Sequence, residues 1–342
     1  MRSIIVIGAG ITAENFIFRL SLLKNESFSI IQLANDAYYP ACATRSTAIV
    51  AARGVSSGHS DLGDTLVQSY RHFLGMVERF RPEGIYLGEQ WTGVNKKMDE
   101  FKKRYPDGEE LIQLESLGVG LTEKLYFSTE SCFVIDPEEY LSWLRKQSAN
   151  LNLNRFEEAV TDIQKLEKSW KIITSAGKEY FADYVYMGVG SYQRFWKDIH
   201  DEKSLARSSK TAQGSYLSFK GMDLGQKYFS LTLNGNNLIY HPHSKKIIIG
   251  ATTVAADHHM PAISDLKKIY QEIKNLVKIP VPEFDSFEIK TGLREKAKGR
   301  RPYLEMNNGL IVAGGFYKNG YSLGPYLAEK AISLFLTKLV GK

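Results

Sequence analysis

The first dozen residues constrain the fold more than any other stretch. Ser3-Ile-Ile-Val-Ile-Gly-Ala-Gly reads as a buried strand that runs straight into a glycine turn. Phe16, Leu20 and Leu23 then recur at helical spacing over residues 11–24, and a second strand over 28–33 completes a β-α-β unit. Gly8-Ala9-Gly10-Ile11-Thr12-Ala13 fits the pattern GxGxxG/A at the turn between them. Gly8 permits the tight turn, Gly10 lets backbone approach a pyrophosphate beside the first-turn residues Ile11 and Thr12, and Ala13 lets helix and strand pack closely. A glycine turn alone is weak evidence, but one set between a strand and a helix predicts a bound dinucleotide. The acid that usually ends the second strand and holds ribose hydroxyls is missing. Gln32 is assigned that place, as a neutral and therefore weaker partner, with Asp36 four residues on.

The chain has 342 residues, more than one core usually serves. Leu62, Leu66, Tyr70, Phe73 and Val77 predict a helix over 62–80, and residues 84–135 read as a mixture with short strands. Asp136-Pro137 starts another helix, with Asp136 as cap, Pro137 at the first position and Glu138 and Glu139 in the first turn. Strands follow over 159–190 and 214–254, then a polar helix over 264–277. The chain closes as a strand (310–314), a glycine-rich loop (314–324) and a helix (325–338) begun by Pro325. Blocks of β-α-β alternating with antiparallel strand, and no Pro/Gly/Ser linker, predict an α/β protein of two interleaved domains. The expected division gives a Rossmann-type dinucleotide domain 1–80, 136–205 and 288–342. The substrate-binding domain, α+β with an antiparallel sheet, takes 81–135 and 206–287.

Composition narrows the setting. The apolar runs are strand-length, short of the roughly 18 residues a membrane span needs, so no membrane partner is expected. Only three residues precede the first apolar run, and two cysteines, Cys42 and Cys132, are too few for a disulfide framework, so the expectation is a cytoplasmic protein. A net charge of +6 suits an anionic substrate without arguing for nucleic acid, which is not an expected partner; the oligomeric state is open. The pairs His241/His243 and His258/His259 have no carboxylate or cysteine at ligand spacing, so no metal is expected.

Three further segments resemble the FAD-dependent amino-acid oxidase family, in its glycine oxidase and sarcosine oxidase branch. They are Phe133-Val-Ile-Asp136-Pro137, then Ala182-Asp-Tyr-Val-Tyr-Met-Gly188-Val-Gly190-Ser, then the C-terminal block. That block runs Thr291-Gly-Leu-Arg294, Arg301-Pro302-Tyr303, and Val312-Ala-Gly-Gly315-Phe-Tyr-Lys318-Asn319-Gly320-Tyr321-Ser322-Leu-Gly-Pro325. The chain departs from the family pattern at Gln32, Glu295, Gly299 and Phe316, and the cysteine that attaches flavin covalently in some members has no counterpart. The resemblance therefore implies non-covalent FAD. Gly188 and Gly190 would stand where backbone crosses the cofactor, Thr44 and Arg45 in the loop that contacts pyrophosphate and flavin, and Gly315, Asn319, Gly320, Tyr321 and Ser322 in the flavin loop.

The activity implied is oxidation of a small amine or amino acid, by hydride transfer from the carbon bearing nitrogen to flavin N5, with oxygen as acceptor. The alternatives are a dehydrogenase using another acceptor and a flavin-binding subunit without turnover. By resemblance, Arg294 grips a substrate carboxylate with its planar fork. Lys318 stands as a second cation near that carboxylate or aids reaction with oxygen, and the Tyr240 hydroxyl faces the substrate. Residues 294–301 hold five cations against Glu295 alone, which reads either as a solvated turn or as a device that steers an anionic substrate to the site.

Overall fold

The computed structural model describes residues 2–23, 28–52 and 57–340, with side chains to 338. Strand β1 (Arg2–Ile7) enters helix α1 (Ile11–Ser21), and strand β2 (Phe28–Leu33) returns parallel to β1. The predicted α1 end at residue 24, and the domain limits at 1 and 342, lie outside the described residues. β1 is central in a six-stranded sheet, between β2 and Tyr184–Met187, both parallel to it. Leu153–Phe156 extends the sheet beyond β2; Leu310–Gly314 and then Tyr303–Asn307 extend the other side. Ile4, Val6, Phe16, Ile17 and Leu20 pack with Ala328, Ala331 and Phe335 of the C-terminal helix, and the Phe16 ring stacks on Tyr186 at 3.9 Å. Both faces of β1 are apolar, as a parallel sheet covered on both sides requires.

The second layer is a nine-stranded, mostly antiparallel sheet. Residues 84–135 supply two of its longest strands, Ile85–Val94 and Val119–Ile135, rather than the short ones expected. Its faces differ. Phe229, Leu231, Leu238, Tyr240, Ile247 and Ile249 bury against the helix Ile263–Leu276, whereas Tyr216, Tyr228, Ile239 and Ile248 form the opposite face. The strand Glu288–Lys296, grouped with the cofactor domain on sequence, pairs with Lys210–Lys220 at the edge of this sheet. Glu295 therefore reaches from the second sheet to Tyr303 and Gly315 of the first, while Arg294 leaves the opposite face of the strand.

Two helix boundaries show how local chemistry decides. The Asp136 side chain caps its helix, accepting from the amides of Glu138 and Glu139 at 3.1 and 3.4 Å. The last helix begins at Gly320, not at Pro325. Asn319 O accepts from the Leu323 amide at 2.9 Å to open it, so Pro325 lies inside the helix, in its second turn, where it cannot donate to the Tyr321 carbonyl.

Under the dinucleotide unit lies a buried charge. Glu14 on α1 is inaccessible and takes Arg145 at 3.0 Å and Arg155 at 3.1 Å. Gln32 completes the group, donating to Glu14 at 3.2 Å and accepting from Arg155. A buried carboxylate stripped of one partner is strongly destabilising. Arg155→Leu should lower unfolding free energy by about 2–4 kcal/mol in urea titration. A loss below about 0.5 kcal/mol would show that Arg145 alone suffices.

Candidate active site

One elongated cavity runs from the turn after β1 to the edge strand of the second sheet. At one end, Gly8, Gly10, Ile11 and Thr12 line it. No side chain caps α1, so its first-turn amides are free to meet a ligand. Gly8 has φ +106°, and a Cβ there would stand 2.6 Å from the Gly188 carbonyl oxygen. Ala13 lies behind the turn against Gly188 and does not line the cavity. Gly188, Gly190, Ser191 and Tyr192 form the facing wall, where the buried Ser191 hydroxyl has no partner among the described residues.

The end of β2 corrects the reading of Gln32. Register pairs Ile7 with Leu33, which brings Ala34 beside Gly8, and Ala34, Asn35 and Asp36 line the cavity. Gln32 points the other way and is held by Gly8 O at 2.8 Å, Glu14 and Arg155. It is a strut in the buried charge network, and Ala34, not Gln32, stands beside Gly8 at the cavity. Thr44 and Arg45 also turn away. The Thr44 hydroxyl donates to Ala41 O at 3.0 Å, and the Arg45 guanidinium is drawn to Asp36 at 2.9 Å. Their neighbours Cys42, Ala43, Ser46 and Thr47 line the cavity instead. Burial pushes the Cys42 thiol up, against Arg294 and Arg45, so it stays neutral.

The far end is built by Ala313, Gly314, Phe316, Tyr317, Lys318, Gly320 and Tyr321, with Ala251 and Thr253. Gly315, Asn319 and Ser322 support this loop without lining the cavity. The Gly315 amide donates to Glu295, Asn319 caps the helix, and the Ser322 hydroxyl donates to Asn319 O. Arg294 lies flat over Gly214, where a Cβ would run into its guanidinium, and donates to Thr252 O at 3.3 Å. Among the described residues no carboxylate pairs with it, and it faces the cavity. Lys318 lines the same end, its ammonium lowered by partial burial and by Arg294 and Arg300. Tyr240 is not there. The two-residue period of its strand sends Asn237 and Ile239 toward the cavity side and Tyr240 into the opposite core, where its hydroxyl accepts from the Leu224 amide at 3.1 Å.

Glu295 follows Arg294 and was noted on sequence only as a departure. It is almost fully buried at the cavity wall and accepts from the Tyr303 hydroxyl at 2.5 Å and the Gly315 amide at 2.9 Å. It therefore ties the edge strand of one sheet to the loop leaving the other.

An uncapped helix start, a glycine wall that a Cβ would fill and an orphaned buried hydroxyl fit a dinucleotide, and the cavity continues to the C-terminal loop. The comparisons agree. Residues 3–334 match the model of the FAD-dependent oxidoreductase family, and the chain belongs to that family. FAD is its cofactor. Glycine oxidase from Geobacillus kaustophilus superposes with a TM-score of 0.72 at 18% identity, covering 97% of this chain and 94% of that one. L-α-glycerophosphate oxidase from Mycoplasma pneumoniae, solved with FAD bound, gives 0.75 at 13%, over 97% and 94%. L-proline dehydrogenase from P. horikoshii gives 0.73 at 13%, over 98% and 94%. A search by sequence among curated proteins found no match. Among the described residues, no helix is long and apolar enough to cross a membrane.

Burial raises the Glu295 carboxyl to about 7, against hydrogen bonds from Tyr303, Gly315 and Ser209 that oppose the rise. The folded protein thus holds this proton more tightly than the unfolded chain. Its contribution to stability is complete below pH about 4.5 and is lost as pH rises to about 7, about 3 kcal/mol in all. Glu295→Gln should flatten that part of the stability profile when urea unfolding is compared at pH 5 and pH 8. Equal slopes for the two proteins would show that Glu295 is ionised throughout.

Proposed function

We propose that the protein oxidises the C–N bond of a small amine or amino acid, with oxygen as electron acceptor. The observation that carries this reading is a single cavity that joins the dinucleotide turn to Arg294, a guanidinium with no carboxylate of its own. FAD, held without a covalent bond, supplies a two-electron acceptor at its N5 position.

The chain's own residues then have separable tasks. The amides of Ile11 and Thr12 and the hydroxyls of Ser46, Thr47 and Ser191 take the phosphates and ribitol. Gly188 and Gly190 let backbone pass close to the cofactor, and Gly320 and Tyr321 close the flavin end. Arg294, fixed by Thr252 O and by its bed on Gly214, presents its fork to the substrate carboxylate and sets the carbon bearing nitrogen in line for oxidation. Lys318 adds positive charge at the same end, where partial burial and the neighbouring Arg294 and Arg300 lower its ammonium. Glu295 is a positioning residue, holding the strand that carries Arg294 against the loop that carries Lys318.

The direct test is anaerobic mixing of the FAD-loaded protein with a panel of amino acids and secondary amines, followed by admission of air. Bleaching of the flavin and then peroxide is the expected sequence. Bleaching without peroxide would assign another acceptor, and no bleaching across the panel would contradict the proposal. Arg294→Ala should raise KM for an amino acid at least tenfold with FAD retained, from loss of a charge-assisted pair worth about 1.5–3 kcal/mol. An unchanged KM would turn Arg294 away from the substrate. Ala34→Glu should slow FAD loss by restoring a carboxylate beside Gly8. Faster loss would mean that the ribose lies elsewhere.

A further inference from the structure

Beyond Arg294, positive charge gathers about the flavin end of the cavity: Lys318 lines it, while Lys296 and the exposed Arg300 do not line it and meet it through the Tyr317 ring. The Tyr317 ring lines the cavity, and three cations gather on it. The Lys296 ammonium lies 5.7 Å from the ring centroid, the Arg300 guanidinium 5.8 Å and the Lys318 ammonium 5.6 Å. Among the described residues no carboxylate pairs with any of the three. Their neighbour Arg301 is different: it reaches Asp61 at 3.2 Å and is neutralised.

Acids elsewhere on the cavity wall are already engaged. Asp36 holds Arg45, Glu158 holds Lys178 at 2.6 Å, and Glu295 is tied to Tyr303 and Gly315 with its carboxyl driven toward the neutral form by burial. The cluster is also held at a cost. Tyr317 has φ +52° and Arg300 φ +58°, left-handed values that residues with side chains rarely adopt, and together they set ring and guanidinium against each other. Like charges so placed repel unless an anion sits among them. Lys318 records that repulsion: partial burial lowers its ammonium first, with Arg294 and Arg300 adding to it.

We infer that the substrate carries two anionic groups, one for Arg294 and a second for the site formed by Lys296, Arg300 and Lys318 around Tyr317. This rests on the reading of Arg294 as the carboxylate clamp. The amine to be oxidised then lies on a short backbone between the two anions, as in an amino dicarboxylate or an amino acid bearing a phosphonate or phosphate. A monocarboxylic amino acid satisfies Arg294 and leaves the Tyr317 site unfilled.

Non-reacting anions give the test. The FAD-loaded protein is titrated at pH 7.5 and low salt with acetate and propionate, and with malonate, succinate and phosphonoacetate, following the flavin absorption spectrum. At least one dianion should bind at least tenfold more tightly than either monoanion. Phosphonoacetate against malonate separates a phosphoryl preference from a carboxylate one. In the double variant Lys296→Ser/Arg300→Ser that ratio should fall to about threefold or less, with FAD content unchanged. Lys298→Ser removes one charge from the same loop outside the cluster and should keep the ratio.

Equal binding of monoanions and dianions, all weakened by Arg294→Lys, would overturn the second anion site and leave the amino-acid reading in place. Anion binding that ignores Arg294→Lys would overturn both. Loss of FAD from the double variant, with the dianion ratio intact in the molecules that retain cofactor, would assign the cluster to the cofactor and also overturn the inference.

Discussion

The meeting of two backbone turns, after β1 and after Tyr184–Met187, governs this structure. The strands are adjacent and parallel, Ile7 pairs with Met187, and the Gly188 amide donates to Ile7 O at 2.9 Å. Their turns therefore collide unless both are stripped to backbone, and Gly8 and Gly188 do that. The crevice left between them lies at the carboxyl ends of the parallel strands, where α1 begins without a cap. A parallel sheet provides such a crevice wherever connections diverge from neighbouring strands. Everything else that faces the cavity is delivered to this point.

Delivery of the far end of the cavity depends on the second sheet. Glu288–Lys296 alternates its side chains, so Arg294 and Glu295 leave opposite faces of one strand. Arg294 lies over Gly214 on the neighbouring strand and looks into the cavity. Glu295 reaches back to Gly315 and Tyr303 in the first sheet. One dipeptide thus turns an unpaired guanidinium into the cavity and fastens the two layers together. A carboxyl buried so deeply is costly when ionised, and it is tolerated because three donors converge on it.

Legibility in the sequence followed the range of the forces involved. The dinucleotide turn, the Asp136 cap and the strands 28–33 and 310–314 are set by neighbours within a few residues, and they were readable. Gln32 was misplaced because strand register, not spacing from the fingerprint, decides which residue stands beside Gly8; the buried carboxylate of Glu14 then claims its amide. Tyr240 failed through parity, since a shift of one residue along a strand exchanges core for cavity. Thr44 and Arg45 failed because Asp36 draws the arginine aside, a contact between side chains nine positions apart. The Tyr317 cluster was half visible as a basic run. Its assembly around one ring needed the fold, because Lys318 arrives from a different sheet.

The central claim, that this cavity holds FAD, is tested most directly by the absorption spectrum of the purified protein and by the stoichiometry of what heat or acid releases from it. The account predicts a yellow protein with oxidised-flavin bands and about one FAD released per chain, as non-covalent binding requires. A colourless protein that takes up no added FAD, or flavin that stays attached to the denatured chain, would contradict it.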